Sequence, residues 1–142
     1  MAVTLVKIPV VVGTGECVVT KAVDLFLNEK ATELKRVTKT TTITNFRVGA
    51  GEVLLDGIIH KNVEYETEEH VVGSDKFDVP FECCIPIPGA AAGDDVEIEV
   101  AEVTLEKDEL VPCPPTKKVF EKVCVHVVIK VLRPTQLNVV VV

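Results

Sequence analysis

The chain has 142 residues, a mass of 15.4 kDa, a net charge of −7 and a pI near 5.0, a length that fits one domain able to bury its own core. Valine occurs 29 times, against one Met, one Tyr, five Phe and no Trp, a β-branched composition suited to pleated, half-buried strands. No Lys/Arg cluster is interleaved with aromatics and no apolar run approaches the roughly 18 residues that cross a bilayer, so neither a nucleic-acid partner nor a membrane span is expected.

In chain order, residues 2–12 alternate as a first strand, GTGE at 13–16 reads as a turn, and a second strand runs from Cys17 toward Val23. Within 23–37, Val23, Phe26, Leu34 and Val37 would line a helix, whereas Val23, Leu25 and Leu27 suit a strand running into a loop; the strand is favoured. Residues 37–48 put Ile43 and Phe46 on opposite parities, which requires a bulge or a change of face. After GAGE, residues 53–67 align Val53, Leu55, Ile59, Val63 and Tyr65 on one face. Gly57 falls in the same row, where a missing side chain predicts a bulge or a close approach. EYETEEH and the VGSD after it read as a hairpin end. Residues 75–88 follow, then the loop GAAAGDD, then 96–105 with a parity slip at Ala101 and Glu102. KDELVPCPPTKK is a proline-rich excursion. In 118–132, Val119, Val123, Val125, Val127, Ile129 and Val131 mark a buried face, and RPT leads into QLNVVVV. The expected fold is all-β, a single-domain antiparallel β-sandwich or barrel-like structure over 1–142.

Parity also orients the cysteines. In 77–88 the odd residues Phe77, Val79, Phe81, Cys83, Ile85 and Ile87 are all apolar, so Cys83 should point inward as a small buried hydrophobe and Cys84 outward. Pro80, Pro86 and Pro88 share the other parity, so their missing donors fall along one lateral edge, as suits a border strand. Cys84 is open to three readings: an unreactive surface thiol, an intermolecular disulfide, or a strained vicinal bond. Cys113 sits in the loop PCPP, Cys124 shares a face with Phe120, Val128 and Leu132, and Cys17 opens a strand. With five cysteines at least one is unpaired within the chain. Cys84 and Cys113 are the candidates for a cross-link between subunits.

Chemistry-bearing patterns are sparse. Ser74, the one serine, lacks a GxSxG frame. Glu64, Glu66, Glu68 and Glu69 suit a solvated hairpin end better than a glycosidase cleft. The glycines match no nucleotide-binding pattern. There is no CxxC, and His60, His70 and His126 are not spaced as ligands. No catalytic residue, metal or cofactor is expected. The opening residues lack the positively charged region of a signal peptide, so synthesis in the cytoplasm without a classical leader is expected.

The termini are apolar on both faces. Val6, Ile8, Val10 and Val12 oppose Val3, Leu5 and Val11, while Leu137, Val139 and Val141 oppose Val140 and Val142. Such strands need cover on both sides, from their own domain or from another chain. The terminal strands 2–12 and 135–142 are therefore candidates for pairing between subunits, with Val3, Leu5, Val139, Val140, Val141 and Val142 as the strand-addition contacts.

The strings IPVVVGTGE, TTTITNFRVGAGEVLLDGIIHKNVEY and VPFECCIPIPGA, the last followed by an acidic strand, resemble the SPOCS domain of spore coat and spore morphogenetic proteins of endospore-forming Firmicutes. The resemblance runs from about Ile8 to QLNV; its most specific pieces are Asp56-Gly57, His60-Lys61-Asn62, Tyr65, Pro80-Phe81 and Pro88-Gly89-Ala90. It implies a β-rich, non-catalytic assembly module. The expected function is a structural protein that self-assembles into a spore-surface layer or an extracellular filament, with copies of itself and other spore coat proteins as partners. The alternative is a binding module that docks onto coat protein or cell-wall glycan through an open sheet edge.

Overall fold

A period of two carries almost the whole chain into extended structure. The computed structural model describes the backbone of residues 2–141 and the side chains of residues 8–135. Its strands are β1 (Ala2–Gly49), β2 (Glu52–Thr67), β3 (Val72–Pro86), β4 (Asp95–Val111) and β5 (Thr116–Val141). They form one antiparallel sheet of order β3-β2-β1-β5-β4, in agreement with the all-β expectation.

The two halves of β1 serve different neighbours. Residues 2–26 pair with β5 and residues 31–49 with β2. On the β5 side the ladder steps from Phe26 opposite Lys118 to Ala31 opposite Thr116, leaving residues 27–30 unmatched. Ala31 is opposite both Thr116 and Thr67, and it is fully buried. Here the strand leaves one layer and enters the other, which folds the sheet over on itself. One layer holds the first half of β1, β5 and β4; the other holds the second half of β1, β2 and β3.

The core lies between these layers. Every odd position of β2 from Val53 to Thr67 is buried. Val119, Val123, Val125, Val127, Ile129 and Val131 of β5 are all fully buried, each contributing on the order of 1.5–3 kcal/mol. Val123, Val125, Val127, Ile129 and Val131 pack with Val53, Leu55, Ile59, Phe81, Ile85 and Ile87 in one cluster, while Leu25, Leu27, Ala31, Val63, Tyr65 and Val119 form a second.

Several local expectations hold. A register shift separates Ile43 from Asn45, as the change of parity required. β3 is a border strand, and Pro80 and Pro86 lie within it. Gly57 allows a close approach by the Phe81 ring.

Others are corrected. GTGE makes no turn: β1 continues through it, with a register shift between Val11 and Gly13. A Cβ at Gly13 would lie 2.8 Å from Ile87 Cγ2 and one at Gly15 2.5 Å from Ile85 Cγ2, so these glycines admit close packing. Cys17 accordingly lies inside β1. Residues 23–37 are strand, as favoured, but run into no loop. VGSD belongs to β3, and the turn before it is confined to 68–71, with His70 at φ 63°. KDELV completes β4, so the proline-rich excursion shrinks to 112–115. The single slip expected at 101–102 is instead a pair of shifts, between Ile98 and Val100 and between Val103 and Leu105. RPT does not interrupt β5, where Pro134 is opposite Pro9.

Candidate functional site

β4 reaches only as far as Asp95, opposite Leu132. Beyond that point β1 and β5 continue alone as a two-stranded ribbon, residues 2–11 against 132–141. The terminal strands thus pair with each other within the chain: Val3 is opposite Val140, Leu5 opposite Asn138, Val139 opposite Thr4 and Val141 opposite Ala2. The side chains of Val3, Leu5, Val139, Val140 and Val141, and Val142 altogether, lie outside the described residues. At the described root of the ribbon Ile8, Val10 and Val11 are 38%, 42% and 52% exposed. Neighbours in a strand point to opposite faces, so exposure of both Val10 and Val11 leaves both faces uncovered at the root.

The root is held firmly. Arg133 donates to both Asp94 carboxylate oxygens, at 2.7 and 2.8 Å, and to the Gly89 carbonyl at 3.0 Å. Asp94 also accepts from the Ala91 N–H, and the Arg133 guanidinium and this N–H hold its carboxyl below the usual carboxylate range. The 87–94 loop is tied in turn to the β1–β2 turn, where Gly51 donates to the Ala90 carbonyl and accepts from the Ile87 N–H.

Cys83 points inward, as its parity required, but it is not a lone buried hydrophobe. It is disulfide-bonded to Cys17, 66 residues away, with Cα atoms 6.6 Å apart. The bond joins the first half of β1 to β3, border strands of opposite layers, and rules out the vicinal Cys83–Cys84 pair. Cys84 is exposed, and its thiol donates to Glu52 Oε2 at 3.4 Å. Local desolvation and the Glu52 carboxylate push that thiol above its ordinary pKa. Cys113 is exposed in the 112–115 loop; Cys124 is half-buried beside the Thr20 hydroxyl. Cys84 and Cys113 are not brought together with each other or with the ribbon by any pairing in the sheet.

Two groups of polar side chains went unread in the sequence. The first is a buried ionic cluster. Lys61 of β2 and Glu121 of β5 occupy inward rows, are withdrawn from solvent, and meet through Lys61 Nζ and Glu121 Oε1. Lys39 of β1 reaches the same place, 2.8 Å from Asp108 Oδ2, 3.0 Å from Glu106 Oε2 and 4.0 Å from Glu121 Oε2. Burial works to lower the Lys39 pKa, but the bonds to Asp108 and Glu106 raise it overall. Parity could have exposed this cluster, since 61 and 121 complete the apolar rows of their strands. The second group lies on an outer face, where His60 bridges Asp78 Oδ1 at 2.7 Å and Thr42 Oγ1 at 3.2 Å. Its three members come from β1, β2 and β3, adjacent strands of one open sheet face.

Among the described residues no group of three or more His, Cys, Asp or Glu could hold a metal ion, and no helix is long and apolar enough to cross a membrane. A family model described as SipL, SPOCS domain, matches residues 30–106. The chain belongs to the SPOCS domain family. No curated protein and no solved structure matches it. SPOCS membership associates the chain with the bacterial spore. The SPOCS match starts beside the corner at Ala31 and covers the rest of β1, β2, β3 and β4 as far as Glu106. Cys83, Lys39 and Lys61 fall inside the SPOCS match, whereas Cys17, Glu121 and the whole ribbon fall outside it.

Proposed function

We propose that the protein is a non-catalytic structural component that associates with copies of itself into a spore-surface layer or an extracellular filament. The observation that carries this reading is the ribbon. It projects past β4 with exposed Ile8, Val10 and Val11, and among the described residues no third strand pairs with either of its edges. Isolated two-stranded ribbons are marginal in water, and open apolar edges invite further strands. Strand addition by a second copy would satisfy the main-chain groups and cover the apolar faces together. A head-to-tail contact of this kind propagates into a polymer unless its rotation closes a ring.

In such an assembly the exposed thiols of Cys84 and Cys113 are available for bonds between subunits. Docking onto another coat protein or a cell-wall glycan would use the same open edges with a different occupant. The two readings part on deletion of residues 2–7 or 138–142, followed by sedimentation and negative-stain microscopy with and without reductant. Concentration-dependent polymers of the full chain that give way to a folded monomer support self-association. A full chain that stays monomeric at every concentration, or deletions that assemble as well as the full chain, refute it.

A further inference from the structure

β2 and β5 are the central strands of the two layers, and each sends one charged side chain into the core. Lys61 lies between Ile59 and Val63 in the inward row of β2, and Glu121 between Val119 and Val123 in that of β5; all four flanking residues are fully buried. Lys61 Nζ rests against Glu121 Oε1. Beyond that contact neither the amine nor either carboxyl oxygen makes a hydrogen bond of ordinary geometry among the described residues. A charged pair so placed is costly, because the remaining ammonium donors and carboxylate lone pairs have lost water without replacement.

Passing the proton from nitrogen to oxygen relieves that cost and leaves a free amine in contact with a carboxylic acid. Burial pushes the Glu121 carboxyl upward in pKa; Lys61 opposes this and the neighbouring Asp108 carboxyl adds to it, with the net direction upward. Asp108 is itself fixed by Lys39, whose Nζ donates to its two oxygens at 2.9 and 2.8 Å. Amine, acid, a second, half-buried carboxyl and a fixed cation thus converge at the buried Lys61–Glu121 contact, the set of groups that amide formation requires.

We propose that Lys61 and Glu121 condense into an intramolecular isopeptide bond that joins the central strands of the two layers. The neutral Lys61 Nζ attacks Glu121 Cδ and forms the N–C bond. The ammonium of Lys39, 4.0 Å from Glu121 Oε2, stabilises the oxyanion of the tetrahedral intermediate. Asp108 takes a proton from the nitrogen and delivers it to the departing hydroxyl; the C–O bond breaks, the carbonyl re-forms and one water leaves. Nothing is oxidised or reduced, and Asp108 is regenerated. The product replaces two buried charges by one neutral amide, and the reaction turns over once per chain.

Intact-mass spectrometry of the full-length, disulfide-reduced protein tests this independently of whether copies associate. The expected mass is about 18 Da below that of the sequence, the loss of one water, with fragmentation placing the link between the peptides that carry Lys61 and Glu121. Lys61→Ala and Glu121→Ala should restore the full sequence mass. Asp108→Ala should remain folded by circular dichroism yet carry the full mass; a linked Asp108→Ala protein would overturn the role given to that residue. A folded wild-type chain at full mass, or a water loss that maps elsewhere, overturns the bond itself.

Discussion

Gly57 of β2 lies opposite Phe81 of β3 and directly beneath its ring: a Cβ at Gly57 would stand 2.3 Å from Phe81 Cζ. The atoms that Cβ would meet are ring carbons of a side chain that is itself buried, so the ring cannot move aside freely. Gly57→Ala should destabilise the protein by about 1–3 kcal/mol, the usual cost of overpacking, read as a lower urea midpoint with unchanged slope. Phe81→Leu in the same chain should recover part of that loss, and strict additivity of the two substitutions would show that they do not meet.

The Cys17–Cys83 bond closes the side of the sandwich where no ladder joins β1 to β3. Reducing it, or replacing both cysteines by alanine, should lower stability by about 2–4 kcal/mol through the freedom restored to the unfolded chain. Native alkylation without reductant should mark Cys84 and Cys113 and spare Cys17 and Cys83. Because local desolvation and the Glu52 carboxylate push the Cys84 thiol above its ordinary pKa, its alkylation at neutral pH should be slow, and Glu52→Gln should accelerate it. Equal rates in the two proteins would remove Glu52 as a cause.

Tyr65 is the chain's one tyrosine, and there is no tryptophan, so phenolate absorbance reports this residue alone. Burial, followed by the hydrogen bond its hydroxyl donates to Asp75 at 2.8 Å, pushes its pKa up to about 12. The folded value lies above the unfolded one. The stabilisation is therefore complete below pH 10 and is lost as pH rises from 10 toward about 12. Asp75→Asn should move the phenol's titration downward, and titration of the native wild type near its ordinary value would contradict the contact.

Asp94 behaves in the opposite sense. Arg133 and the Ala91 N–H hold its folded pKa below 3.8, so its contribution is present above that value and fades as pH falls through the lower folded one. Asp94→Asn should reduce stability at neutral pH and flatten the acid limb of the stability curve. An unchanged acid limb would show that the clamp at the root of the ribbon does not couple to folding.

Strand content, inward rows and the border position of β3 were legible in the sequence because side-chain parity and proline chemistry are local. Val119 to Val131 had to share a face, and Pro80 and Pro86 had to turn their missing donors to one edge, whatever the rest of the chain did. The glycines of GTGE misled for the same reason: locally they permit a turn, and only two isoleucines some 70 residues away in sequence, Ile85 in β3 and Ile87 just beyond its end, make them a place of close packing. The tertiary structure alone decided that β1 bends at Ala31 to serve both layers, that Cys17 meets Cys83, and that Lys61, Glu121, Lys39 and Asp108 converge in the core. Each of these depends on how one layer is set over the other. That choice is made by packing between faces, and a pattern of period two carries no information about it.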